Sequence, residues 1–481
     1  MPNEERPQDF ELIELLIREA AASTSVQQSS GVDESFKARF QSYVDQIPSY
    51  MHSVEKKGFF SHFFFGSFST LLDTEIAEKL GIKEISFRFD TKETLKVVVI
   101  KDGEIKNDRS AIDNIKLFSI SESKDESKGQ FTSGELEEIL KKNLIWTDKN
   151  TLIGEVGAIK DRIKGRDEMK PRLVRISKGK NGIFVKTEVQ EISDSAASHG
   201  FHKIEKGLWS KPEDDIAKLT GTDMQRVKES SEKVLEKIGK VHSKYEYSLS
   251  YAKEAREAAH HGFVAGVFMN FRYRYNLRVY LEQFAGRGYA DIVLLARGPD
   301  RALDSIPIII ELKAGTVRGT APGDALQQAT DYAKGFQPNV MRVLTTADNI
   351  LCVGVNLDYR SPVSNIEAKS REGEIVPLFQ DMLKSTDDWG MRRIDIGELE
   401  KQIKDNLERI YHTFPGTGEK GDNHYFSRFL LGQSLLLNEA LGTEFEKHVF
   451  IYSENIPTEA HESSRPQRPA GQQVLIKAMQ L

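Results

Sequence analysis

Apolar residues are distributed along this chain in two ways. Short blocks of Val, Ile, Leu and Phe bounded by Gly, Pro or charge predict strands, and longer stretches with apolar positions three and four apart predict helices. Blocks at 84–90, 95–101 and 115–120 predict three strands, preceded by a helix that runs from Gly66 toward Leu80 and followed by an amphipathic helix over 134–142. The same order returns later in the chain. A helix follows Gly266, strands are predicted at 279–282, 290–296 and 306–313, and a second amphipathic helix at 324–334. Each series opens on Phe-x-x-Gly, at Phe63 to Gly66 and at Phe263 to Gly266. A third copy, Phe429 to Gly432, opens a helix over 425–441 and strands at 449–453 and 474–479, and is read as a partial repeat.

The pattern predicts an α/β protein in four parts: an N-terminal helix and linker (1–33), a first unit (34–205), a second unit (224–395) and a C-terminal element carrying the partial repeat (396–481). Boundaries are expected in the polar stretches 206–223 and 415–422, and disorder at 121–133 and 456–471. No apolar run reaches the roughly 18 residues of a membrane span, so a soluble chain without a membrane partner is expected. The acidic N-terminus argues against a secretory signal peptide. The single cysteine, Cys352, excludes an intramolecular disulfide and a cysteine zinc cluster, and its apolar run predicts packing.

Charge narrows the mode of any nucleic-acid binding. A net charge of −6 leaves phosphate neutralisation to local basic surfaces. Residues 160–180 supply one, with Lys160, Arg162, Lys164 and Arg166 at its start, read either as a binding tail or as a solvated loop. The stretch 271–278 is the other candidate, read either as a helix end or as a surface where Arg272, Arg274 and Arg278 alternate with aromatics able to stack on bases, and Arg287 adds a cation in a Gly-rich turn.

The second unit holds the informative chemistry. Asp291 starts one predicted strand, and Glu311 and Lys313 end the next, two residues apart and so on one strand face. Carboxylates beside an apolar sheet are costly unless paired, exposed or bound to a metal. Asp291, Glu311 and the Leu312 carbonyl form a hard oxygen set suited to Mg²⁺ or Mn²⁺, and Lys313 is placed to orient a water or stabilise developing charge. Glu257 on the preceding helix and Glu282 on the preceding strand are candidates to complete the metal shell. Gln328 and Tyr332 lie one turn apart on the following helix, where they could hold a phosphate or pack beneath the site.

Asp291, Glu311 and Lys313 in the spacing D-x19-E-x-K, followed by Gln328 and Tyr332 as Q-x-x-x-Y, resemble the PD-(D/E)XK nuclease superfamily, particularly its exonuclease-like branch. The resemblance implies a mixed central sheet flanked by helices and metal-dependent hydrolysis of phosphodiester bonds, with DNA the expected substrate and RNA left open. The wider run from His260 to Phe336 is similar to the tandem nuclease domains of the B-type cytoplasmic incompatibility factors of Wolbachia. That likeness implies a secreted bacterial effector or toxin, made in the bacterial cytoplasm, acting in the host cytoplasm or nucleus, and neutralised by a cognate A-type antidote protein.

In the first unit the equivalent positions are different. Aligning Gly103 with Gly298 sets Lys96 against Asp291, and Ser119 and Ser121 near Glu311 and Lys313. A shifted frame would use Glu122 and Lys124, in polar surroundings that read as a loop. The first unit is therefore expected to be a degenerate, non-catalytic copy, in which Lys96→Ala leaves folding intact. A catalytically silent scaffold for nucleic acid or the antidote is the alternative for the whole chain.

Overall fold

The computed structural model describes residues 58–91, 94–101, 115–122, 129–143, 171–179, 182–190, 192–193, 200–209, 215–249, 256–271, 275, 277–284, 289–296, 305–335, 349–363, 367–370, 449–455 and 472–478, with helical positions at 13, 14, 16, 17 and 40. Helices α1 (Phe59–Leu71) and α2 (Glu75–Lys79) precede strands β1 (Ile82–Thr91), β2 (Thr94–Lys101) and β3 (Ile115–Ser121). Helix α3 (Ser133–Asn143) and strands β4 (Arg172–Gly179), β5 (Gly182–Val189) and β6 (His202–Lys203) follow. The chain continues through α4 (Met224–Leu249), α5 (Arg256–Asn270), β7 (Leu277–Phe284), β8 (Tyr289–Ala296), β9 (Ile308–Lys313), α6 (Pro322–Gly335), β10 (Asn349–Asn356) and β11 (Glu367–Ser370). A separate antiparallel hairpin pairs β12 (Val449–Asn455) with β13 (Gln472–Ala478).

Both mixed sheets are traversed in the same way. In the first, β1, β2 and β3 form an antiparallel meander, α3 crosses over, β4 joins β3 in parallel and β5 turns back antiparallel to β4. In the second, β7, β8 and β9 form the meander, α6 crosses over, β10 joins β9 in parallel and β11 returns antiparallel. A parallel neighbour cannot be reached by a tight hairpin, so a crossover helix stands at the same step in each unit. The apolar run of β2 has no polar alternation because both its faces are covered. Leu95, Val97 and Val99 enter the main core, while Val98 and Ile100 meet Phe131, Leu136 and Ile139 on the α3 side.

The two units are joined through α1 and α5. Gly66 lies against the Phe263 carbonyl and Gly266 against the Phe63 carbonyl, so a methyl group at either glycine would fall about 2 Å from a backbone oxygen, at 2.1 and 1.8 Å. Only glycine allows helices this close. The repeated Phe-x-x-Gly is thus a reciprocal contact between copies of the same helix. Ser67 Oγ donates to the Gly266 carbonyl at 2.7 Å, and Asn270 Nδ2 donates to Thr70 Oγ1 at 2.7 Å. One continuous apolar core runs from Phe63 and Phe65 to Phe263, Ile292 and Val353.

Several expectations need correction. The last part of the basic stretch 160–180 is strand β4, with Arg175 half-buried, rather than a solvated tail. Between the two sheets, Trp209, Ile216 and Leu219 of the stretch 206–223 are packed into the core. The Asp73 carboxylate fixes it there by accepting the Gly207 and Trp209 amides at 2.6 and 2.7 Å. Within 121–133, read as disordered, Phe131 is buried and Thr132 caps α3. The long helix α4 was not foreseen. The third Phe-x-x-Gly and its helix over 425–441 lie outside the described residues, as do 415–422 and 456–471. Cys352 is buried, as its apolar run predicts.

Candidate active site

Strand register assembles the site. The pairs Leu281↔Ile292 and Gln283↔Ala290 put Glu282 at the register position beside Asp291, and Ile292↔Ile310, carried one step further, sets Asp291 beside Glu311. Three acidic positions therefore form a row across β7, β8 and β9, with Lys313 two residues beyond Glu311 on the same face. The opposite face, with Ile292, Ile310 and Leu312, belongs to the main core. The site face is covered by α6. At Gly354, the register neighbour of Glu311 on β10, an added methyl would fall 2.2 Å from Leu326 N and from the Pro322 carbonyl oxygen. The helix thus rests directly on the strand.

Asp291 is half-buried and its Oδ2 accepts the Leu312 amide at 2.7 Å. Glu311 is buried, at 2 % exposure, and its Oε1 accepts Lys313 Nζ at 3.3 Å. Burial, the largest influence on Lys313, acts to lower its pKa. The carboxylates of Glu311, Glu257 and Asp291 act together in the other direction and prevail, so the ammonium titrates above its ordinary range. Glu257, exposed in the first turn of α5, thereby joins the electrostatics of the site from another element. Helix α5 braces the strands from behind: the His261 ring meets the Asp291 carbonyl at 3.0 Å, and His260 bonds the Lys313 backbone. Gln328 Nε2 donates to Tyr332 OH at 2.6 Å, so these two half-buried groups on α6 form a pair.

The donors suit a hard divalent cation: the carboxylates of Asp291 and Glu311 and the Leu312 carbonyl are all oxygen. Among the described residues there is no group of three or more His, Cys, Asp or Glu that could hold a metal ion. A Mg²⁺ or Mn²⁺ held here would complete its shell from water and substrate phosphate, the usual arrangement for Mg²⁺ bound by one or two carboxylates. The side chains of Glu282 and Arg278 lie outside the described set, as do Arg272, Arg274, Arg287, Lys160, Arg162, Lys164 and Arg166.

The first unit presents the same row with its charge inverted. Arg88 pairs with Lys96, and Lys96 with Ser119, so Arg88, Lys96 and Ser119 stand where Glu282, Asp291 and Glu311 stand, and Ser121 replaces Lys313. Lys96 is the third of eight residues in β2, as Asp291 is in β8. Its ammonium is enclosed by Gln130 O at 2.6 Å, Asp90 Oδ2 at 2.7 Å and the Glu135 carboxylate at 2.9 and 3.0 Å. Arg88 shares both acids, at 2.5 Å to Asp90 and 2.8 Å to Glu135. Glu135 is itself fixed by a capping box, accepting the Thr132 amide at 2.8 Å while Thr132 Oγ1 accepts the Glu135 amide at 3.1 Å. The shifted frame through Glu122 has another explanation: its carboxylate caps α1, accepting the Ser61 and Gly58 amides at 2.9 and 3.2 Å. Lys124 lies outside the described residues.

Arg88 and Glu135 were missed from sequence. Their partners are remote in the chain, and the one local signal was the Thr132-x-x-Glu135 capping spacing. No family model matches this chain, and no curated protein matches it in sequence.

Proposed function

We propose that this chain is a divalent-metal-dependent nuclease that hydrolyses DNA phosphodiester bonds, with the second unit as the catalytic one and the first as a nuclease-like scaffold. The observation that carries this reading is the placement of Asp291 and Glu311 side by side across β8 and β9 with Lys313 on the same face. Asp291 and Glu311 would hold the ion with the Leu312 carbonyl, and the rest of its shell would come from water and substrate phosphate. When bound, the cation polarises the scissile phosphate and acidifies a water.

The chain's own residues then have distinct tasks. The Leu312 amide holds the Asp291 carboxylate against β9, fixing the spacing of the two acids. Lys313, kept protonated by three carboxylates, acts as a fixed cation and not as a general base. It orients the attacking water and stabilises charge on phosphate as the new P–O bond forms and the bond to the sugar oxygen breaks. Burial of Glu311 and the cover of α6 keep bulk water from loosening this geometry. The likeness to tandem-nuclease effectors extends the proposal to an exported bacterial toxin restrained by a cognate antidote protein. No helix among the described residues is long and apolar enough to cross a membrane.

The test is cleavage of supercoiled plasmid and of RNA by the full chain in Mg²⁺, in Mn²⁺ and in EDTA. Asp291→Asn, Glu311→Gln and Lys313→Met should each reduce divalent-dependent cleavage by at least about 100-fold with circular dichroism unchanged. Folded wild type that cuts neither substrate, or a triple variant that cuts as well as wild type, would leave only the scaffold reading.

A further inference from the structure

Residues 314–321 leave β9 directly after Lys313 and lie beyond the carboxyl ends of the two parallel strands β9 and β10, where open α/β sheets bind ligands. This loop is exposed yet tightly fastened. Asn356, fully buried at the end of β10, donates through Nδ2 to the Gly315 and Thr320 carbonyls at 2.8 and 2.5 Å and accepts the Asp358 amide at 3.0 Å. Asp358 accepts the Gly315 amide at 2.5 Å and lies 3.4 Å from Arg256 on α5. Thr320 Oγ1 meets the Val317 and Gly315 carbonyls at 2.7 and 3.0 Å. Gly315 and Gly319 take left-handed φ values of 81° and 84°, which glycine adopts without strain.

What this scaffolding holds outward is Thr316, Val317 and Arg318, with Val317 at 67 % exposure. No ion pair engages Arg318 among the described residues. The neighbouring site is acidic: Glu257, Asp291 and Glu311 face one ammonium, itself bonded to Glu311. A polyanionic substrate approaching that site needs a cation on its flank, and a guanidinium matches a phosphate in geometry and charge. A rigid loop carrying such a group next to a reactive centre is how scaffolds place substrate-binding side chains.

We propose that loop 314–321 is a preformed substrate ridge, in which Arg318 binds a backbone phosphate of the nucleic acid beside the scissile one and Asn356 is the positioning residue that fixes the ridge. The proposal rests on the nuclease reading above. The experiment uses the full chain carrying Glu311→Gln, so that bound duplex DNA is not consumed, and measures affinity by fluorescence anisotropy across a salt series. Adding Arg318→Ala should weaken binding about 5- to 10-fold and flatten the slope of log K against log salt by about one. Arg318→Lys should recover most of the loss. In the active background, Arg318→Ala should raise KM several-fold with kcat held within about two-fold. Asn356→Ala, which loosens the ridge but leaves the charge on it, should raise KM and flatten the salt slope in the same direction as Arg318→Ala and by no more than that variant does.

Arg318 is exposed, so its replacement does not threaten folding and its result decides the matter even if Asn356→Ala is unstable. If Arg318→Ala binds with the parent's affinity and salt slope while wild type still cuts DNA, the ridge proposal is wrong and the nuclease reading stands. If wild type does not cut and the parent does not bind, both fall together.

Discussion

Lys96 and Asp291 occupy the same place in two strands of equal length, and each dictates what its surroundings must supply. Around Lys96 the supply is internal: Asp90, Glu135 and Gln130 enclose the ammonium, which takes the role that a bound cation would have among those oxygens. This burial, with Lys96 only 2 % exposed, argues against the expectation that Lys96→Ala leaves folding intact. Lys96→Met should destabilise the protein by about 3 kcal/mol or more, because the nearly inaccessible Glu135 carboxylate loses a partner in a medium that solvates it poorly. The denaturation midpoint in urea measures it. Lys96→Met combined with Glu135→Gln should cost less than the two single changes together, since the second removes a carboxylate that the first leaves with Arg88 as its one cationic partner among the described residues. Neither variant should create nuclease activity in the first unit, where Ser119 and Ser121 offer no carboxylate. The placement of Glu311 and Lys313 was legible, because strand alternation alone puts them on one face. The Lys96 network was not, because its partners come from β1 and α3 and only folding brings them together.

At the scale of elements, the strongest constraint is the crossing of α1 and α5. Gly266→Ala would place a methyl 1.8 Å from the Phe63 carbonyl oxygen, with that peptide's carbon and Cα also within 3.0 Å, and no side-chain rotation relieves a clash with backbone. The helices must separate, loosening the stacked Phe65 and Phe263 rings, now 5.5 Å apart, and the Ser67 to Gly266 hydrogen bond. A loss of about 3 kcal/mol or more is expected, at or above the upper range for overpacking. Gly207→Ala is the contrasting case: nothing lies within 4 Å of the new methyl, and only its φ of 91° is unfavourable, so about 1 kcal/mol is expected. Urea denaturation of both variants compares clash with strain. The repeated Phe-x-x-Gly showed in the sequence that something recurs, but not that the copies touch. Strand β4 escaped notice because Arg172, Arg175 and Lys178 dominate its composition, although Leu173, Val174 and Ile176 are its buried residues. Helix α4 was legible in principle: Val227, Val234, Leu235, Ile238, Val241 and Tyr245 are buried at helical spacing in an otherwise charged stretch.

Across the whole molecule, the two units share one core, and three histidines meet at the seam between them. His62 on α1, His242 on α4 and His260 on α5 are buried, and the His242 and His260 rings stand 4.7 Å apart, edge to face. Burial, and then the neighbouring histidine charges, hold His242 well below its ordinary range, and burial brings His62 down to about 4 despite its 2.7 Å bond to the Gly58 carbonyl. These rings are therefore neutral at pH 7. In the unfolded chain they would titrate near 6.5, so between that value and about 4 the unfolded state binds more protons than the folded one. Their contribution is complete above pH 6.5 and is lost as the pH falls toward 4, with His62 alone accounting for about 2 kcal/mol by pH 5. Because the seam belongs to both units, acid should unfold them in one transition rather than release one of them intact. Urea denaturation at pH 7.5 and pH 5.5, followed by far-ultraviolet circular dichroism and by tryptophan fluorescence from the buried Trp209 region, should give coincident midpoints that shift together. His242→Phe supplies the decisive comparison. Neither ring nitrogen of His242 has a hydrogen-bond partner among the described residues, so a phenyl ring can keep the edge-to-face contact with His260 without stranding a polar group. That variant should match or exceed wild-type stability at pH 7.5 and lose less of it at pH 5.5. Equal losses in the two proteins would show that the histidine seam does not set the acid limit of the fold.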